Sequence, residues 1–104
     1  LFSMCWKFIL RNEARFRCYV RFYYSAYFKG SVAEAHNKLL MGVVNQISPI
    51  FKSEADVLSI LRSVFSALLD FGIRVYNGEL EDNEDNCKHI FNVLYNMMSD
   101  YFKG

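Results

Sequence analysis

Six of the ten residues from Tyr19 to Phe28 are aromatic, and four of those are tyrosines. A phenol offers a ring to apolar surroundings and a hydroxyl that needs a partner when buried. Such a cluster can fill a core, or it can line a cavity and hold a polar atom of a ligand. His36 adds a candidate polar contact: it shares a helical face with Val32, Leu39, Leu40 and Val43, where a histidine can also be an ordinary satisfied core residue. Trp6 and Phe8 upstream and Met41 downstream could complete an apolar wall around Tyr19, Tyr23 and Tyr27.

Other chemistry-bearing residues form no recognisable site. Cys5, Cys18 and Cys87 are widely spaced and contain no CxxC pair, which points to reduced thiols and a cytoplasmic setting. His36 and His89 lie far apart, and no metal-ligand spacing occurs. The acidic run Glu79, Glu81, Asp82, Glu84, Asp85 has the composition of a calcium loop but lacks its central glycine and ordered ligand positions. At the start of a helix the same acids suit the macrodipole. There is no nucleophile–base spacing and no phosphate-cradling glycine loop, so an enzyme and a bound cofactor are not expected.

The elements that carry these residues read as helices throughout. The chain has 104 residues, 53% of them apolar, enough for a single domain over 1–104 with its own core. Leu1 stands inside an apolar pattern in place of a starting methionine, and reads as a fragment or processed form. No secretory signal is visible, and no apolar run approaches the length of a membrane span. Charge is near balance overall, but residues 1–30 carry six bases against Glu13 alone, while 70–104 carry seven acids and three bases. An acidic or nucleic-acid partner for the first third competes with a solvated basic helix face.

A first helix is expected over about 1–11. Asn12 can cap a second, running to Phe28 and stopping at Gly30. Ser31 with Glu34 makes a capping box for a third, which reaches about Ser48 before Pro49. Ser53 with Asp56 opens a fourth that ends at Asn77-Gly78, the glycine serving as a helix stop rather than a hairpin turn. A fifth runs from about Asp82 to Phe102. Connections are short, so neighbouring helices should pack antiparallel in an all-α, five-helix bundle.

On a wheel, Arg17, Arg21, Ser25 and Lys29 gather on one side of the second helix, leaving an apolar arc of roughly 200°, wider than a surface helix needs. The arginines segregate from the rings, which argues against single-strand nucleic-acid binding. The last two helices are also apolar over more than one face. One face can cover the chain's own core; a twofold copy is a common cover for the other. Gly72 inside the fourth helix points to a close helix crossing, within the chain or at such a seam.

The order of these segments resembles a known family. A tryptophan-bearing helix ends in LRN before EARF opens the next, which carries YYSAYF; a middle helix breaks near a proline. ADVLSILRSVFSALLDFGIRVYNGELEDNED then leads into HIFNVLYNMMSDYF. Nearly the whole chain is similar to the C-terminal regulatory domain of TetR-family transcriptional regulators. The resemblance implies a homodimer in which the last two helices form an intermolecular four-helix bundle, with Leu61, Phe65, Leu68, Gly72, Ile90, Leu94, Met97 and Met98 at the seam. It also implies a pocket for a small-molecule effector of unknown identity, bordered by Trp6, Tyr19, Tyr23, Tyr27 and Met41, with His36 as the polar contact. DNA would be reached only through an N-terminal helix-turn-helix domain outside this segment. Effector binding would shift the helix arrangement and release DNA in the parent regulator. The alternative is a ligand-free helical protein-interaction or dimerisation module with a filled core.

Overall fold

The structure, a computed structural model, describes residues 2–103 and is all-α. Five helices follow one another: α1 (Phe2–Arg11), α2 (Glu13–Tyr23), α3 (Gly30–Ile47), α4 (Val57–Tyr76) and α5 (Glu84–Ser99), with a 3-10 turn over Ser48–Ile50. None of the described helices is long and apolar enough to cross a membrane.

Local chemistry sets most of the boundaries. The Asn12 side chain accepts from the Arg15 backbone N–H at 2.9 Å and opens α2. At the end of α4, Gly78 adopts φ +78°. Its N–H bonds the Val75 carbonyl at 3.1 Å, and the Glu79 N–H bonds the Arg74 carbonyl at 2.9 Å. That is a Schellman stop, the role expected of this glycine.

Expected boundaries move in four of the helices. α2 ends at Tyr23, not Phe28, because the Ser25 hydroxyl donates to the Phe22 carbonyl and accepts from the Tyr27 N–H. A serine that takes over backbone partners unwinds the helix locally. Lys29, without a side-chain bond, precedes α3 in place of the Ser31 box. Asp56 rather than Ser53 caps α4: its carboxylate accepts from both the backbone N–H and the hydroxyl of Ser59, which hold its pKa below the usual carboxylate value. α5, expected over about Asp82 to Phe102, is capped by Asn83, begins at Glu84 and ends at Ser99.

α4 is the hub, packing on α5, α3, α1 and α2. Its C-terminal half contributes Leu68, Leu69 and Phe71 to the main core, with Trp6, Ile9, Phe16, Ile90 and Leu94. A second cluster joins Val44 at the end of α3, Phe51, and Val57 at the start of α4. A short clasp closes this end: the Lys52 N–H bonds the Tyr101 carbonyl at 2.8 Å and the Lys103 N–H bonds the Ile50 carbonyl at 2.9 Å. The segments flanking α4 and α5 thus meet antiparallel.

Gly72 is a crossing point inside the protomer. A Cβ there would lie 2.7 Å from the Phe16 ring and 2.8 Å from the Ile9 branch methyl, both core side chains. Gly72→Ala would gain about 1 kcal/mol of helix propensity. Overpacking costs about 1–3 kcal/mol, and neither neighbour has free space to retreat into. A net fall in melting temperature of several degrees is expected, the same at every protein concentration. A fall that shrinks as concentration rises would instead place Gly72 between copies.

Candidate functional site

α2, α3 and α4 meet in an aromatic cluster. Tyr19 and Tyr23 project from α2, His36 from α3 and Phe65 from α4, while Phe28 folds in from the turn before α3. The Tyr19 hydroxyl lies 2.8 Å from Nε2 of His36. Tyr23 and Phe65 stack at 5.7 Å with their planes 9° apart, and Phe28 meets His36 edge-on at 5.2 Å.

The electrostatics of the pair follow from its surroundings. Burial, with the neighbouring Tyr23 and Tyr24 phenols, pushes the Tyr19 pKa up to about 12. Burial, and then the Arg62 guanidinium, hold His36 below the usual imidazole value. The arrangement that fits both is a protonated phenol donating to a neutral imidazole, with the ring proton on Nδ1. Chemically this is a half-buried polar pair walled by rings, suited to orienting a polar atom.

Tyr19, Tyr23 and His36, three of the six residues assigned to an effector pocket, are therefore brought together. Trp6 packs in the adjoining main core. Tyr27, in the turn that ends α2 early, is 79% exposed; Met41 and Phe8 are also exposed. Within the cluster the rings of Tyr23, Phe28, His36 and Phe65 pack on one another. Two open concavities lie elsewhere. One, of about 520 Å³, is on the α2 face bearing Glu13, Ala14, Arg17, Cys18 and Arg21. The other, of about 500 Å³, runs between the starts of α1 and α5, past Phe2, Glu84, Cys87 and Phe91.

The residues assigned to a dimer seam fall on several surfaces of this chain. Leu68, Gly72, Ile90 and Leu94 are buried within this chain. The reason is the position of α4: with four helices around it, its broad apolar surface is used internally. Phe65 faces the aromatic cluster, while Leu61 and Met98 pack on the second core cluster. Of the eight, Met97 is exposed.

Two rings on α5, Phe91 and Tyr95, are left exposed, each in line with a partly buried ring, Phe2 or Phe102. Phe2, Phe91, Tyr95 and Phe102 form a continuous ladder along the outside of α5, with successive centroids 5.4, 6.2 and 5.4 Å apart. Phe91 and Tyr95 are each 46% exposed. The sequence signal for this ridge is the i, i+4 spacing of Phe91 and Tyr95 on α5.

Among the described residues no three His, Cys, Asp or Glu side chains converge as metal ligands. Cys5, Cys18 and Cys87 are free thiols, with Cys18 exposed. Comparison with protein-family models, with curated proteins and with solved structures finds no match for this chain.

Proposed function

We propose that this chain is a helical interaction module whose partner is a second copy of itself, packed along the ridge on α5. The observation that carries the reading is surface area. The chain exposes 7137 Å², where a folded monomer of its mass exposes roughly 6,000 Å². The excess, about 1,000 Å², is close to what one partner contributes to a standard interface. Its radius of gyration, 14.6 Å, also exceeds the roughly 13 Å of a self-contained domain of this length. Two adjacent exposed rings, Phe91 and Tyr95, are the kind of surface that interfaces use.

Sedimentation velocity tests it. The protein is expected to run as a dimer, and a double change, Phe91→Glu with Tyr95→Glu, is expected to give a monomer of unchanged helicity, because both side chains are exposed in the protomer. A wild-type monomer at the highest soluble concentration overturns the reading.

A second reading, in which the chain senses a small molecule as the regulatory domain of a TetR-like bacterial regulator, draws its support from the Tyr19–His36 pair. An effector there must displace a ring, and Phe28 is the one held by a turn rather than a helix. Thermal shifts with aromatic, lipid-like and drug-like compounds test it. A compound that raises the melting temperature of the protein but not of Tyr19→Phe supports sensing, and a panel without effect leaves the interaction module.

A further inference from the structure

α3 is held to the rest of the protein very unevenly. Its C-terminal end is anchored: Val44 is buried with Phe51 and Val57, and Ile47 packs beside them. Its N-terminal half is largely at the surface, with Ser31, Val32, Glu34, Ala35, Lys38 and Leu39 exposed. The backbone bonds of the preceding turn stay local, from Ser25 to Phe22, Phe28 to Ser25 and Lys29 to Tyr27. Among the described residues, one side-chain hydrogen bond joins α3 to another helix, that between Tyr19 and His36, and no ion pair does.

We propose that the Tyr19–His36 contact is a proton-sensitive latch: the N-terminal half of α3 rests on α2 and α4 while His36 is neutral, and lifts away when the imidazole gains a proton. The geometry supplies the reason. Nε2 is the atom that faces the Tyr19 hydroxyl. Once protonated, it can only donate, so the phenol must turn its own proton away from the bond it now makes. That phenol keeps its proton to about pH 12, so it cannot supply a compensating negative charge.

The new charge also sits among the rings of Tyr23, Phe28 and Phe65. The titratable and charged groups bearing on it are Tyr19 and Tyr23 from α2 and Arg62 from α4, with the uncharged Phe28 from the turn. None of these is a carboxylate. Lifting returns the imidazolium to water and moves it away from Arg62. The anchored end at Val44 keeps the motion a hinge rather than a loss of the helix.

The lowered His36 pKa has the sign that this geometry requires. Closure is fully supported above the ordinary imidazole value, 6.5, and is lost as pH falls through the lower value of the latched state. Between the two values the open fraction can rise by up to about tenfold per pH unit.

Amide hydrogen exchange on the intact chain, corrected for intrinsic rates at pH 8 and pH 5, tests the latch. Amides 33–40 are compared with 44–47 of the same helix. The opening of 33–40 is expected to rise several-fold at pH 5 while 44–47 change little. His36→Gln, which keeps an acceptor but does not titrate, is expected to abolish the pH dependence. His89→Gln, at an exposed position on α5, is expected to leave it intact. Tyr19→Phe is expected to loosen 33–40 already at pH 8. Equal opening at both pH values overturns the proposal, as does a pH dependence that survives His36→Gln. So does greater protection at pH 5, which would mean that the rings hold the imidazolium by cation–π attraction.

Discussion

Leu94→Glu is expected to unfold the protomer rather than to release folded monomers. Leu94 is 4% exposed and packs in the main core with Trp6, Phe16, Leu68 and Ile90. Among the described residues no buried polar or charged residue accompanies it, so a carboxylate there finds no partner. Loss of the leucine packing alone costs about 2–5 kcal/mol. An unpaired carboxylate either stays charged at a further cost of several kcal/mol or takes up a proton at a smaller one. A chain of this length has about 5–15 kcal/mol in total, so the two costs together approach or exceed it. Trp6, the only tryptophan and a member of the same core, reports the outcome. Its fluorescence should take the red-shifted emission of a solvated indole, and helical circular dichroism should collapse. A variant that stays helical, with buried Trp6 emission, and sediments as one chain would show instead that Leu94 faces a partner.

That outcome turns on something the sequence could not display. The helical class, the start at Asn12 and the stop at Gly78 are legible because each rests on local signals: a capping amide, and a glycine at a left-handed position. The start of α4 is less so, since Ser53 and Asp56 both make acceptable caps and only the bonds from Ser59 select Asp56. The early end of α2 depends on one serine hydroxyl, and it leaves Tyr27 outside the helix and exposed. Periodicity also gives the width of an apolar arc, not what covers it. On α4 that width serves four neighbours in the same chain; on α5 a different row, Phe91 and Tyr95, is left over. Tyr19 as an apolar wall and His36 as a candidate polar contact can be read from the sequence, but their hydrogen bond and the arrival of Phe65 and Phe28 depend on how three helices cross.

Phe51→Ala is expected to remove a large share of the stability. Phe51 is 2% exposed, and its ring meets Phe102 at 5.1 Å with the planes 63° apart. It also packs with Val44 and Val57, so one side chain ties the end of α3, the start of α4 and the segment after α5. Truncating a buried phenylalanine costs about 3–5 kcal/mol. At about 4–8 °C per kcal/mol for a domain near this size, the melting temperature should fall by at least about 12 °C. Phe51→Leu keeps most of the volume and should cost less than half as much. The two clusters make the experiment more informative, because Trp6 belongs to the main core and Phe51 to the other. α4 runs through both without a break, and the clasp from Lys52 and Lys103 closes the same end. Fluorescence of Trp6 and far-ultraviolet circular dichroism should therefore shift together in Phe51→Ala, as one cooperative unit does. If Trp6 melts at the wild-type temperature while part of the helical signal is lost earlier, the continuous α4 does not couple the clusters, and the end of the molecule bearing the clasp unfolds by itself.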